Sequence, residues 1–152
     1  MNQLVVTNVS IYKAIAEDAY AQVADAEKTE RTLKPYSSGY ILRYDPKQRS
    51  FKNSMITVVF TGMWLEALTH LLIVRDHGED KYREYDRKIY EDKLRLLGVE
   101  DESLLAQVTE FRITRKELVH EKAFFDNGTI KTAQKEAKVA YDILCRVGAV
   151  LI

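Results

Sequence analysis

Only two prolines and six glycines interrupt the 152 residues, and long stretches of helix-forming side chains lie between them. Proline and glycine are the strongest breakers of regular structure, so a chain this poor in them favours long helices over short strands joined by turns. Apolar residues within those stretches recur at spacings of three and four, the period of a helix with one buried face. The expected fold class is therefore all-α, an up-and-down bundle of four to five helices. Domains cluster at about 100 to 150 residues, so residues 1–152 are expected to form a single domain. With 46% apolar and 30% charged residues the chain can bury a core, which excludes an intrinsically disordered class.

Five helices can be placed. The first is predicted over Ser10 to Leu33, with Ser10 as N-cap and Ile11, Ala14, Ile15, Ala19, Val23 and Ala26 on its apolar face. Pro35 closes it, and the following stretch to Ser50, with Gly39, Pro46 and three tyrosines, reads as a structured connection or a short β excursion. The second helix runs from Ser50 to His77. Six acidic and six basic residues then crowd Glu79 to Arg95, which reads as a solvated helix with Tyr82, Tyr85, Ile89 and Leu96 inward and Gly98 as its stop. A fourth helix is predicted from Glu102 to Lys122, capped by Asp101 or Ser103 and burying Leu105, Val108, Phe111 and Leu118. The turn Asp126-Asn127-Gly128 leads into a fifth, with Ile130, Ala133, Ala137, Ala140, Leu144, Val147 and Leu151 inward.

Charge and composition narrow the function classes. Lys plus Arg and Asp plus Glu each number 23, so no global positive field draws the chain to nucleic acid or anionic lipid, and any such site must be local. A lone Cys145 and an N-terminus without a charged, apolar secretory pattern lead to the expectation of a cytoplasmic protein. Met55 to Val74 is the one stretch apolar enough to consider as a membrane span. It carries Glu66 and His70, and the preferred reading is the central helix of the bundle, with no membrane partner.

Few residues are equipped for chemistry. Glu66 and His70 lie four apart on the second helix, but a metal would need two further ligands that the sequence does not mark, so they read as a bonded polar pair and no metal is expected. His77, at a helix end, complements the carbonyl end of the helix dipole. Cys145 reads as an inert core residue. No GxGxxG, P-loop, HExxH or GxSxG pattern occurs, and no cofactor is expected.

The fourth helix differs, reading EFRITRKELVHEK. At about 100° per residue, Arg112, Lys116 and His120 form one continuous basic stripe, while Arg115 lies about 60° to the side, at the margin of the buried face. A guanidinium there needs an anionic partner or a cleft. Glu66 is a possible internal partner, in which case the arginine serves structure alone. The other reading is catalytic. Histidine can take a proton from a ribose 2′-hydroxyl or give one to the leaving 5′-oxygen, while arginine stabilises charge developing on the phosphate.

The string Arg115-Lys116-Glu117-Leu118-Val119-His120 resembles the R-x4-6-H motif of HEPN domains, the higher eukaryote and prokaryote nucleotide-binding family. Members are bundles of four or five helices with the motif late in the chain and one helix after it, the order expected here. The resemblance implies a metal-independent endoribonuclease, commonly a toxin or defence component, with Arg115 and His120 as the catalytic pair. It further implies a homodimer in which two such pairs line one cleft, RNA as substrate, and an antitoxin or effector as a possible partner. Arg112 and Lys116 would contact neighbouring phosphates, with Glu66 in support. Two departures stand out. Lys116 occupies the position where many members have Asn, Asp or His, and Lys122 stands where one branch has the tyrosine its antitoxin modifies, so regulation by that route is not expected. The alternative is a non-catalytic module of the same shape that binds a protein or nucleotide. On a straight helix Arg115 and His120 diverge by roughly 140°. They meet only if the arginine stem bends round, the helix is irregular, or the cleft lies between protomers.

Overall fold

The long apolar stretches become helices in the computed structural model, which describes residues 7–29, 31–33, 35–36, 38, 40–42, 47–120 and 133–152. In chain order the elements are α1 (Val9–Thr29), β1 (Arg31–Leu33), β2 (Tyr40–Leu42), α2 (Arg49–His77), α3 (Glu79–Tyr85), α4 (Tyr90–Leu96), α5 (Glu102–Val119) and α6 (Ala133–Leu151). Six helices among the described residues make an α bundle, with one antiparallel hairpin pairing Arg31 with Leu42, Thr32 with Ile41 and Leu33 with Tyr40.

The hairpin corrects the first boundary. Residues 31–33, read as the end of a helix, form a strand, and the β excursion after Pro35 supplies its partner. The start of α1 lies before Ser10, because Thr7 Oγ1 accepts the Val9 amide at 3.3 Å. Ala19, Val23 and Ala26 are buried as predicted, but Ile11 and Ala14 face solvent and Ala16 is buried instead.

The 29-residue α2 is the hub, packed against α1, α3, α4, α5 and α6. That explains its weak amphipathicity: a helix touched on several sides keeps only a narrow exposed stripe, here carrying Lys52, Ile56, Glu66 and His70. Val58, Trp64, Leu65, Leu68, Leu72 and Ile73 form its share of the core. By length and composition α2 is also long and apolar enough to cross a membrane, but 56% of its most apolar window is buried inside the bundle.

The charged block is two short helices and not one. The chain turns at 86–89, Ile89 adopts an extended conformation at the N-cap position, and it is 42% exposed where an inward position was expected. The break resets the helical register, so Glu91, Lys93 and Leu94 are the buried residues of α4. Gly98 ends this segment as predicted, at a φ of 86° that side chains other than glycine rarely adopt. In α5, Leu105, Val108 and Phe111 are buried and Leu118 half-buried. The predicted extension to Lys122, the turn at 126–128 and Ile130 lie outside the described residues. From Ala133 onward α6 buries Ala137, Ala140, Leu144 and Val147 in agreement with its periodicity.

Candidate functional site

The α5 helix is anchored at its start. Asp101 accepts the Ser103 and Leu104 amides at 3.0 and 3.1 Å and is bridged by Arg146 of α6 at 2.9 Å, so the orphan amides of the first turn are satisfied. Those bonds hold its carboxyl below the usual carboxylate range. From that fixed end the helix runs without interruption to Val119, and His120 serves as C-cap, its amide bonded to the Lys116 carbonyl at 3.1 Å. Helix irregularity therefore does not bring Arg115 and His120 together.

The predicted basic stripe is divided. Arg112 is engaged: its Nε lies 3.2 Å from both carboxylate oxygens of Glu91 on α4, and its Nη2 lies 3.1 Å from Oε1. Thr109 donates to the same carboxylate at 2.7 Å. Glu91 is only 6% exposed, and burial raises its pKa, but the bonds from Arg112 and Thr109 outweigh burial and leave the carboxyl below its ordinary value. Arg112 thus serves the α4–α5 contact. Lys116 and His120 are exposed.

Arg115 takes a third course. Its side chain crosses α2 at Gly62, where an added Cβ would lie 2.2 Å from Nε, 2.6 Å from Cδ and 2.8 Å from Cζ. Any larger residue at position 62 would force the Arg115 side chain to move aside. Tyr90, the first residue of α4, donates from its hydroxyl to the Gly62 carbonyl at 3.4 Å. Burial raises the Tyr90 pKa, with Arg115 and Arg112 acting against that rise and Glu66 and Glu91 adding to it.

The expected Glu66–Arg115 pair is not formed. Glu66 Oε1 instead accepts from Lys93 Nζ at 2.6 Å. Lys93 is 1% exposed, and an ammonium so deep needs an adjacent carboxylate, which Glu66 alone supplies among the described ion pairs. The four charges around Tyr90, with Lys93, therefore divide unevenly. Glu66 is matched to Lys93 and Glu91 to Arg112, and Arg115 has no ion pair among the described residues. Its Nε is buried without a hydrogen-bond partner, whereas its terminal nitrogens are not among the buried unpartnered atoms.

The remaining candidates fall elsewhere. His70 is not bonded to Glu66 but stacks on Tyr82, with ring centroids 3.8 Å apart and 13° between planes. Burial and the hydrogen bond donated to Asp86 push the Tyr82 hydroxyl up to about 12. His77 lies exposed in the last turn of α2. Cys145 is exposed and not a core residue, because the α6 register turns Ile143, Leu144 and Val147 inward and leaves position 145 outside. Among the described residues no group of three or more His, Cys, Asp or Glu side chains is placed to hold a metal.

Gly62, Tyr90 and Lys93 were not legible as site residues. The one available signal was Gly62, an isolated glycine inside a long apolar helix, where its low helix propensity calls for a packing reason. No protein-family model, curated protein or solved structure matches the chain.

Proposed function

We propose that the chain is a metal-independent endoribonuclease of HEPN type, acting as a cytoplasmic homodimer in a toxin or defence role. The observation that carries this reading is Arg115, a guanidinium with no carboxylate partner among the described residues, while Glu66 and Glu91 are matched to other cations. A purely structural arginine in this position would take Glu66 or Glu91. An unmatched one whose terminal nitrogens reach solvent is suited to a phosphate.

In the proposed reaction the 2′-hydroxyl oxygen attacks the adjacent phosphorus and the bond from phosphorus to the 5′-oxygen breaks, leaving a 2′,3′-cyclic phosphate and a free 5′-hydroxyl. His120 accepts the 2′-hydroxyl proton, and the second copy's histidine donates one to the departing 5′-oxygen. Arg115 stabilises the charge that gathers on the phosphoryl oxygens. Two copies are invoked because no hydrogen bond joins Arg115 to His120 among the described residues and the helix between them is regular. Lys116 is free to meet a neighbouring phosphate, whereas Arg112, bound to Glu91, contributes indirectly by fixing α4 against α5.

The test is RNA cutting by the purified protein in EDTA, with cyclic phosphate ends as product. Arg115→Ala or His120→Ala should each abolish cutting in a folded protein, and undiminished cutting by both would overturn the assignment. One observation favours the second reading, a non-catalytic module binding a protein or nucleotide: within one chain Arg115 runs to α2 while His120 caps the end of α5. A protein that is monomeric at micromolar concentration and leaves RNA intact would support that reading.

A further inference from the structure

We infer that Gly62 of α2 and Tyr90 of α4 are positioning residues for Arg115. Together they form a seat that holds its guanidinium against α2 with the terminal nitrogens open to a phosphate. The inference rests on the ribonuclease reading above and names the residues that set its phosphate-binding geometry.

The seat depends on the missing side chain at position 62. Non-bonded heavy atoms rest about 3.5 to 4.0 Å apart, so a methyl group there, 2.2 Å from Nε, would displace the arginine from its place against α2. Glycine in a helix interior is disfavoured, and here the return is the passage of an arginine stem. Burying Nε without an acceptor also costs free energy, so the side chain is held there by its packing and not by a bond at that atom. Tyr90 ties the seat together from the other side: its phenol, largely withdrawn from water, bonds the Gly62 carbonyl and lies close enough to Arg115 for the positive charge to act on it. A long cationic side chain that would otherwise sample many rotamers is thereby limited to few before any phosphate arrives, and less freedom remains to be lost on binding. The seat is also complete within one chain, so phosphate binding requires no second copy even though cutting does.

The experiment compares the full chain with Gly62→Ala, Arg115→Ala, the double variant and Tyr90→Phe. Its readouts are chemical-shift titration with inorganic phosphate, RNA cutting, and thermal melting. Gly62→Ala should weaken phosphate binding and lower kcat/KM about 100-fold, the scale of a misplacement near 1 Å. It should add nothing in the Arg115→Ala background, because the atoms it displaces are gone. Tyr90→Phe should lower kcat/KM by about fivefold, the value of one neutral hydrogen bond. Wild-type phosphate binding and cutting by Gly62→Ala, or a further loss in the double variant, would overturn the seat. Should Gly62→Ala alone fail to fold, recovery of folding in the double variant would locate the collision at Arg115 and support it. If that variant also fails to fold, the Tyr90→Phe result decides, with unchanged phosphate binding counting against the seat. Phosphate binding that depends on Gly62 in a protein that cuts no RNA would uphold the seat and defeat the ribonuclease reading. Cutting that is indifferent to Gly62 would do the reverse.

Discussion

Two arginines three residues apart on α5 meet opposite fates. Arg112 reaches α4 and closes on a nearly buried carboxylate with three hydrogen bonds. Arg115 reaches α2 and closes on a glycine, with no carboxylate among its described partners. Residue type and helix are the same, and only the facing element differs. A side chain whose charge is matched inside the fold contributes to stability, and one held in place but unmatched has its charge available for a ligand.

That contrast can be broken most severely at Arg115. On the proposed ribonuclease reading, replacing it with alanine should lower RNA cutting by at least roughly 10² to 10³-fold, the effect of losing one well-placed charge stabiliser, while melting changes little. A variant that cuts normally but melts far earlier would place Arg115 with the structural arginines. Arg112→Met should show the inverse pattern. It leaves the Glu91 carboxylate buried and unmatched, at a cost of about 2 to 3 kcal/mol given the partial exposure of Arg112, measurable by urea unfolding, with a much smaller loss of rate per folded molecule than Arg115→Ala.

The pH dependence of stability sharpens the same comparison. The Glu91 pKa in the folded protein is held below the ordinary glutamate value, so its contribution is fully present above that ordinary value. It is lost as pH falls through the folded pKa, because the unfolded chain then binds the proton more readily. Urea midpoints between pH 6 and pH 3 should therefore fall more steeply for the parent protein than for Arg112→Met, and parallel curves would mean that the pair contributes nothing. The smallest effect is expected at the head of the helix, where Asp101→Ala removes the cap of α5 and should cost about 1 kcal/mol. Because Asp101 also holds Arg146, a double-mutant cycle with Arg146→Ala separates the cap from the bridge.

Legibility differed by element in a consistent way. The Asp101 cap and the inward positions Leu105, Val108 and Phe111 were readable because they depend on spacing along one helix. The division of the charged block into α3 and α4 was not readable, since no proline or glycine marks residues 86–89 and the charges suit one helix as well as two. Cys145 was misplaced because it was judged by residue type, whereas the spacing that turns Ala140, Leu144 and Val147 inward already places position 145 about 100° away from Leu144. At the candidate site Arg115 could be placed at the margin of the core, but its partner could not be named. The sequence offered Glu66 for Arg115, whereas in the fold Glu66 accepts from Lys93, a more deeply buried cation from another helix.

From the sequence alone came the all-helical class, the long central helix, the position of α5 and the residue types able to act on a phosphodiester. These follow from local periodicity and side-chain chemistry, which every segment carries with it. Only the tertiary structure decided which charges neutralise one another and which one has no ion pair among the described residues. Glu66, Lys93, Glu91, Arg112 and Arg115 come from three helices, and their pairing depends on burial and on the space above Gly62, which no one segment encodes.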